Sequence, residues 1–172
     1  YDECLAYIDQ QIGRIVEHLR SRGQLDDTLF IVTGDHGEQF GEHGLFSHGN
    51  SLYWPLLHVP FLVHYPAGGV PAHRVEDYVS LRDLPATILD LVGGGADPVL
   101  PGVSLRPLWD GSAGESFVPS PPLSDVQRGV RTPPWEPISR GSMRSQVIDG
   151  IHVITNGDGK EERYDLRVDP GE

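Results

Sequence analysis

The feature that most constrains the fold is a short apolar run followed directly by a segment rich in glycine and histidine. Residues 28–33 (TLFIVT) are mostly β-branched or aromatic, and the run is too short for a buried helix. Residues 34–50 contain five glycines, three histidines, one aspartate and two glutamates. The run predicts a parallel strand buried on both faces. The segment after it predicts an irregular functional loop, because ligands of open α/β sheets bind at the carboxyl ends of strands.

Helices and a second strand are predicted around this unit. Residues 2–22 carry apolar side chains at three- and four-residue spacings, and Gly23 follows as a helix stop. Residues 59–65 (VPFLVHY) are typical of a strand. Residues 78–92 have helical spacing again, with Pro85 suited to a first turn. The order helix, strand, loop, strand, helix predicts an α/β fold over residues 1–95.

The remaining chain changes character twice. Residues 96–141 are predicted to be a proline- and glycine-rich connecting segment, since nine of the fifteen prolines lie in residues 96–137. Residues 142–172 are predicted to form a small antiparallel sheet. Its strands are MRSQVID, GIHVITN and RYDL, and the first two meet at Asp149-Gly150, a strong hairpin dipeptide.

Charge and composition exclude several classes of function. The formal net charge is −12, which disfavours nucleic acid and anionic membranes as partners. No apolar run approaches the ~18 residues that a membrane span needs. The one cysteine, Cys4, excludes an internal disulfide framework and a thiolate metal cluster, and we expect it to be a buried thiol on the first helix.

Asp35 and His36 are the first candidates for a metal site. They follow the predicted strand directly, and Gly34 and Gly37 give the backbone freedom to turn both side chains into one site. A carboxylate with an imidazole suits zinc, manganese, iron or, less readily, calcium. An isolated Asp-His pair is more often a turn-capping aspartate beside a solvated imidazole. Two protein ligands are also too few to hold a metal ion. The position after a strand, the glycines and two nearby histidines favour a site completed by other residues.

His43 and His48 are the next candidates. Either could bind a second metal ion, contact an oxyanion or protonate a leaving group. The alternative for each is a surface loop histidine without a role. Glu38 and Glu42 could orient a histidine as hydrogen-bond acceptors, or could simply be solvated.

Five segments, in order, resemble the sulfatase family of the alkaline-phosphatase-like superfamily. They cover nearly the whole chain, and the resemblance is densest from residue 1 to about residue 111. The segments are YDECLAYIDQQIGRIVEHLRSRGQLDDTLFIVTGDHGEQFGEHG, HGNSLYWPLLHVPFLVHYP, VSLRDLPATILDLVG, LPGVSLRPLWDG and DGIHVITNGDGKEERYDLRVDPGE.

The resemblance implies part of an alkaline-phosphatase-like sandwich with a small carboxy-terminal antiparallel sheet. It implies a metal-dependent sulfuric ester hydrolase acting on a small anionic ester, such as a sulfated sugar or alcohol. In the family, an Asp followed by Asn or His binds one divalent ion, usually calcium or manganese, which here assigns Asp35 and His36; zinc is the alternative. The His variant resembles choline-sulfatase-like and phosphonate-monoester-hydrolase-like members. The family often places a sulfate-binding Lys shortly before "SLY", where this chain has His48.

One part of the family pattern is missing from this sequence. The nucleophile motif, C/S-x-P-S-R, is not found, and neither is the family's amino-terminal Asp pair. Both normally precede this region, so we expect a carboxy-terminal portion of a longer protein that is inactive by itself.

The sequence is compatible with two alternative functions. The first is a phosphonate or phosphate mono- or diester hydrolase, or a phosphoglycerol-transferase-like member of the same superfamily, including a two-zinc enzyme. Metal stoichiometry and the identity of the nucleophile would distinguish it. The second is a non-catalytic metal- or carbohydrate-binding module that uses Trp54, Trp109 and Trp135.

Overall fold

A computed structural model describes residues 1–68, 72–95, 99–112, 114 and 117–172. These residues form α-helices and β-strands in a mixed order, as predicted for residues 1–95. The helices are α1 (Asp2–Ser21), α2 (Trp54–Leu57), α3 (Leu84–Leu91) and α4 (Pro107–Asp110). The strands are β1 (Phe30–Thr33), β2 (Gln39–Phe40), β3 (Phe46–Ser47), β4 (Phe61–His64), β5 (Leu123–Val126), β6 (Met143–Ile148), β7 (Ile151–Thr155) and β8 (Glu161–Asp165).

The chain divides into two compact units. The first comprises Tyr1–Val32 and Phe61–Ala72, and the second comprises Thr33–Pro60 and His73–Glu172. The division at residues 95 and 141 proposed from the sequence stays a prediction.

In the first unit, α1 confirms the predicted helix. Acidic residues occupy its first turn and basic residues its last, which complements the helix dipole. No residue of α1 is buried; Ile8 and Ile15 on its apolar stripe are each about half exposed. The prediction of a buried thiol at Cys4 was therefore wrong, because Cys4 lies on this exposed helix. Among the described residues, none of the helices is both long and apolar enough to cross a bilayer.

Strands β1 and β4 pair in a two-stranded sheet, which confirms both predicted strands with shorter bounds. β1 is less buried than predicted: its residues are half-buried and Thr33 is exposed. Among the described residues, β4 is the one strand that pairs with β1. The other edge of β1 is therefore not covered by a strand of this part of the chain.

In the second unit, the glycine- and histidine-rich segment contains a small hairpin. β2 and β3 pair antiparallel, with Gln39 opposite Ser47 and Phe40 opposite Phe46. The expectation that this segment has no regular element was wrong. Strands of two residues are too short to produce a periodic pattern in the sequence.

The second unit also contains a four-stranded antiparallel sheet in the order β5-β6-β7-β8. Asp149 and Gly150 form the two-residue β6–β7 connection with φ of 50° and 74°, so the predicted hairpin is confirmed. Strand β5 comes from the proline-rich connecting segment and was not predicted as a strand. It pairs with β6, and Val126 lies opposite Met143.

A hydrophobic core joins the histidine-rich segment to this sheet. Met143 and Ile154 of the sheet are fully buried, and Leu45 of the hairpin connection is 7% exposed in the same cluster. The cluster also contains Leu52, Tyr53 and Ile138. Full burial of one aliphatic side chain contributes about 2 kcal/mol to stability. The hairpin is therefore anchored to the sheet by packing.

Helix α3 is shorter than the predicted 78–92, because its amino-terminal part is a 3₁₀ turn over Leu81–Asp83. Pro85 lies in the first turn of α3 as predicted. The Asp83 carboxylate is fully buried and accepts hydrogen bonds from the backbone N–H of Val103 and Ser120. Asp83 thereby holds the connecting segment against α3.

Candidate functional site

Asp35 and His36 lie in a bend directly after β1, as the sequence predicted. Oδ2 of Asp35 is 3.8 Å from Nε2 of His36. The carboxylate is 92% exposed and the imidazole 48% exposed. A carboxylate oxygen and an imidazole nitrogen are thus presented together to solvent.

Local hydrogen bonds set the orientation of both side chains. Nδ1 of His36 donates to the carbonyl oxygen of Gly37 at 2.9 Å, since a carbonyl can only accept. In the neutral ring this leaves the Nε2 lone pair available for a metal ion. Oδ1 of Asp35 accepts from the backbone N–H of His36 at 3.1 Å, which leaves Oδ2 outward. Each side chain uses one polar atom for the loop and presents the other.

Gly37 holds this bend against α2. Its N–H donates to the carbonyl oxygen of Leu56 at 2.8 Å. A Cβ at Gly37 would lie 2.0 Å from the carbonyl oxygen of Pro55. Neither Gly34 nor Gly37 adopts a positive φ. Glycine is therefore required at position 37 by the close approach of α2, whereas the sequence predicted only freedom for the backbone to turn.

His48 is brought beside His36 by the β2–β3 hairpin. The two ring centroids are 4.3 Å apart with an interplanar angle of 33°. Nδ1 of His48 lies 3.1 and 3.2 Å from the two carboxylate oxygens of Glu38, whose side chain is 22% exposed. The carboxylate can only accept, so Nδ1 donates and Nε2 of His48 remains for another partner. We call Asp35, His36, Glu38 and His48 the loop cluster.

The two glutamates of the segment have different contacts. Glu38 contacts a histidine, which was one of the two alternatives for it. Glu42 accepts from the backbone N–H of Phe40 at 2.6 Å, and this bond is the main reason why the pKa of Glu42 is lowered. Glu38 and His48 are ten residues apart in the chain. Their contact could be predicted only by knowing which residues of β2 and β3 pair with each other.

The ring of His43 contacts residues outside the loop cluster. Its ring stacks on Tyr53 with centroids 3.7 Å apart and planes 6° apart, and it meets the edge of Tyr164 at 6.0 Å. Its Nε2 is 4.0 Å from Oε2 of the buried Glu172 side chain. These partners were not predicted, because Tyr164 and Glu172 lie far along the chain and the stacking on Tyr53 depends on how the hairpin packs.

Glu162 forms hydrogen bonds with the two tyrosines whose rings contact His43. Its carboxylate accepts from the hydroxyls of Tyr53 (3.2 Å) and Tyr164 (2.8 Å) and from Nδ2 of Asn156 (2.6 Å). Burial opposes ionisation of Glu162, but these hydrogen bonds outweigh it, so its pKa is lowered. Burial, and next the Glu162 charge, raise the pKa of Tyr53 to about 12. We call His43, Tyr53, Glu162 and Tyr164 the Tyr53 cluster.

The donor set of the loop cluster fits part of a divalent metal site. Carboxylate and imidazole ligands suit manganese and zinc, and the carboxylate also suits calcium. Within the part of the chain that the structure describes, no group of three or more His, Cys, Asp or Glu side chains is arranged to hold a metal ion. Asp35 and His36 present one oxygen and one nitrogen of such a donor set to solvent.

The comparisons with known proteins agree on one family. The family model described as Sulfatase matches residues 1–94. The chain is 28% identical to the N-acetylglucosamine-6-O-sulfatase of Bacteroides thetaiotaomicron, covering 96% of this chain and 29% of that protein. It is 38% identical to mouse (Mus musculus) arylsulfatase K, covering 100% of this chain and 31% of that protein.

Structural comparison supports the same fold. The crystal structure of the phosphonate monoester hydrolase of Agrobacterium radiobacter matches with a TM-score of 0.78 and 26% identity. The match covers 97% of this chain and 34% of that chain. The predicted alkaline-phosphatase-like fold is confirmed. The chain spans about a third of the length of the curated relatives it matches.

Proposed function

The chain belongs to the sulfatase family, and we propose that it supplies the metal-binding and anion-binding portion of a sulfuric ester hydrolase. The observation that carries this proposal is the loop cluster: Asp35, His36 and His48 meet at one exposed bend directly after a strand. Because the chain spans about a third of its relatives, the activity is proposed for the complete gene product.

Asp35 and His36 are proposed as two ligands of one divalent cation through Oδ2 and Nε2. The superfamily is metal-dependent. Calcium or manganese is proposed as the native ion, as the resemblance to the family implies. Zinc is the alternative, because an imidazole ligand suits zinc. When bound, such a cation neutralises charge on the ester oxygens and lowers the pKa of a nucleophile. Two ligands do not complete its coordination, so we expect further ligands and the nucleophile outside the part of the chain that the structure describes.

His48 is proposed to contact the anionic group of the substrate. With Nδ1 donating to Glu38, an imidazolium at His48 would donate its Nε2–H to an ester oxygen. The same proton could pass to the leaving oxygen during in-line attack on sulfur. The proposal is supported by the resemblance, since the family often carries a sulfate-binding Lys shortly before "SLY" and this chain has His48-Gly49-Asn50 there. His43 was a further candidate for catalysis, but its stacking on Tyr53 favours a different role.

A sulfated sugar or alcohol is the proposed substrate class. The first support is the B. thetaiotaomicron relative, whose name gives a 6-O-sulfated amino sugar. The second is the exposure of Asp35 and His36, which lets a bulky ester approach.

The test uses the complete gene product with a panel of sulfate esters and added calcium or manganese. Asp35→Ala and His36→Ala are expected to abolish turnover. Asp9→Ala and His18→Ala, both exposed on α1, are matched controls and should retain it. Full activity of Asp35→Ala or His36→Ala would refute the proposal.

A phosphonate or phosphate ester hydrolase is the second candidate. It is favoured by the likeness to the A. radiobacter phosphonate monoester hydrolase, at a TM-score of 0.78. A sulfatase should give a higher kcat/KM on a sulfate ester than on the phosphonate ester of the same alcohol. The opposite order would assign phosphoryl chemistry while leaving the roles of Asp35 and His36 intact.

A non-catalytic carbohydrate-binding module has weaker support. Trp54 is partly buried, and its ring packs against His58 at 5.1 Å and Tyr78 at 5.9 Å, so other side chains of the protein already contact it. Trp135 is 75% exposed, but one exposed tryptophan does not define a sugar site.

A further inference from the structure

The loop cluster and the Tyr53 cluster contact opposite ends of one hairpin. We propose that His43 and Tyr53 are positioning residues for His48, acting through the β2–β3 hairpin. This inference rests on the proposed function, because it assigns His48 to the substrate site. It gives His43 a role other than acid–base catalysis.

The base of the hairpin carries the functional pair. Gln39 lies opposite Ser47, and Glu38 and His48 are the residues directly outside that pair. Their side chains meet at 3.1 Å across the base. A change in the tilt or register of the hairpin would therefore move Nε2 of His48 relative to His36.

The tip of the hairpin is a strained turn. His43 adopts φ 53° and ψ 19°, a left-handed conformation that is costly for a residue with a Cβ. Such a conformation persists where the surroundings hold it. Here the N–H of Gly41 donates to Leu45 at 2.8 Å, the N–H of Gly44 donates to Gly41 at 2.9 Å, and the His43 ring stacks on Tyr53.

Tyr53 is itself immobilised from two sides. Its ring belongs to the core that includes Met143 and Ile154 of the sheet. Its hydroxyl donates to Glu162 of β8. The position of the His43 ring is therefore fixed relative to the four-stranded sheet.

A second, polar contact reaches the same tip. Glu172 is buried, pairs with His152 and accepts from the backbone N–H of Trp54 at 2.8 Å. Its Oε2 lies 4.0 Å from Nε2 of His43. Only 19% of the His43 side chain is exposed, and Tyr53 covers a ring face. An imidazole held in this way is suited to fixing the hairpin and poorly suited to exchanging protons with a substrate.

The test compares paired variants of the complete gene product. His43→Phe keeps an aromatic ring on Tyr53 and removes the titratable nitrogen. His43→Asn keeps a residue that tolerates positive φ but removes the ring. Tyr53→Phe keeps the stacking surface, and Tyr53→Leu removes it. Thermal melts verify that each variant is folded before kcat and KM are measured.

We expect His43→Phe and Tyr53→Phe to stay within about threefold of wild-type kcat/KM. His43→Asn and Tyr53→Leu should lose roughly 10- to 100-fold, the range typical of misplacing a catalytic group by about 1 Å. If His43 and Tyr53 act through His48, these losses should disappear in a His48→Ala background, because the effects of coupled residues are not additive.

Two results would overturn the proposal. Inactivity of folded His43→Phe and His43→Asn together with wild-type activity of Tyr53→Leu would assign His43 a chemical role. Additive losses in the His48→Ala background would make the Tyr53 cluster a general structural element. Both are distinguishable from failure of the proposed function, in which Asp35→Ala would itself retain activity.

Discussion

The imidazole rings of His36 and His48 lie 4.3 Å apart although twelve positions separate them in the chain. Each ring has its Nδ1 engaged by an acceptor: a backbone carbonyl for His36 and the Glu38 carboxylate for His48. The Nε2 atoms of both rings are therefore left for ligands. This arrangement suits His36 to the metal-ligand role and His48 to the anion-contact role in the proposed function.

Glu38 should control the orientation of His48. Glu38→Ala removes the acceptor of Nδ1–H, so we expect kcat/KM of the complete gene product to fall by about 10- to 100-fold. Glu38→Gln keeps an acceptor oxygen and should lose less. Glu3→Ala on exposed α1 is the control. An unchanged kcat/KM in Glu38→Ala would remove Glu38 from the site.

Gly37→Ala should disrupt the bend that carries Asp35 and His36. The added Cβ would meet the carbonyl oxygen of Pro55 at 2.0 Å, and the backbone must shift. We expect a loss of about 2 kcal/mol in the free energy of unfolding, measured by urea denaturation. Gly13→Ala is the matched control: its Cβ meets nothing within 4 Å, and alanine favours the helix. Equal unfolding midpoints for Gly37→Ala and wild type would contradict the packing described here.

Alkaline unfolding should report on Tyr53. Its folded pKa is raised to about 12, by burial and then by the Glu162 charge, above an unfolded value of about 10. Its contribution to stability is fully present below pH 10 and is lost as pH rises from 10 towards 12. Tyr53→Phe should make that loss shallower in urea titrations at pH 9, 10 and 11. Tyr7→Phe on α1 should not, and an unchanged slope in Tyr53→Phe would count against the raised pKa.

Sequence patterns located the long elements and the pair proposed to bind a metal ion. The 3.6-residue spacing in α1 and the Asp149-Gly150 hairpin are local signals that packing did not override. Asp35 and His36 were found because they are adjacent to each other and follow a strand.

The remaining features depend on contacts that local patterns do not encode. β2 and β3 contain two residues each, and β5 lies in a proline-rich segment, so none of them shows a periodic pattern. The Glu38–His48 contact requires the hairpin register, and the His43–Tyr53 stack requires the packing of the hairpin on the sheet. The exposure of Cys4 follows from the absence of any buried residue on α1.

Metal affinity tests the central claim most directly. Calcium and manganese binding to the complete gene product would be measured by isothermal titration calorimetry, for wild type, Asp35→Ala and His36→Ala, with His18→Ala as control. We expect one divalent ion per chain in wild type and His18→Ala, and an affinity lower by roughly 100-fold or more in Asp35→Ala and His36→Ala. Wild-type affinity in Asp35→Ala and His36→Ala would show that these residues are not metal ligands.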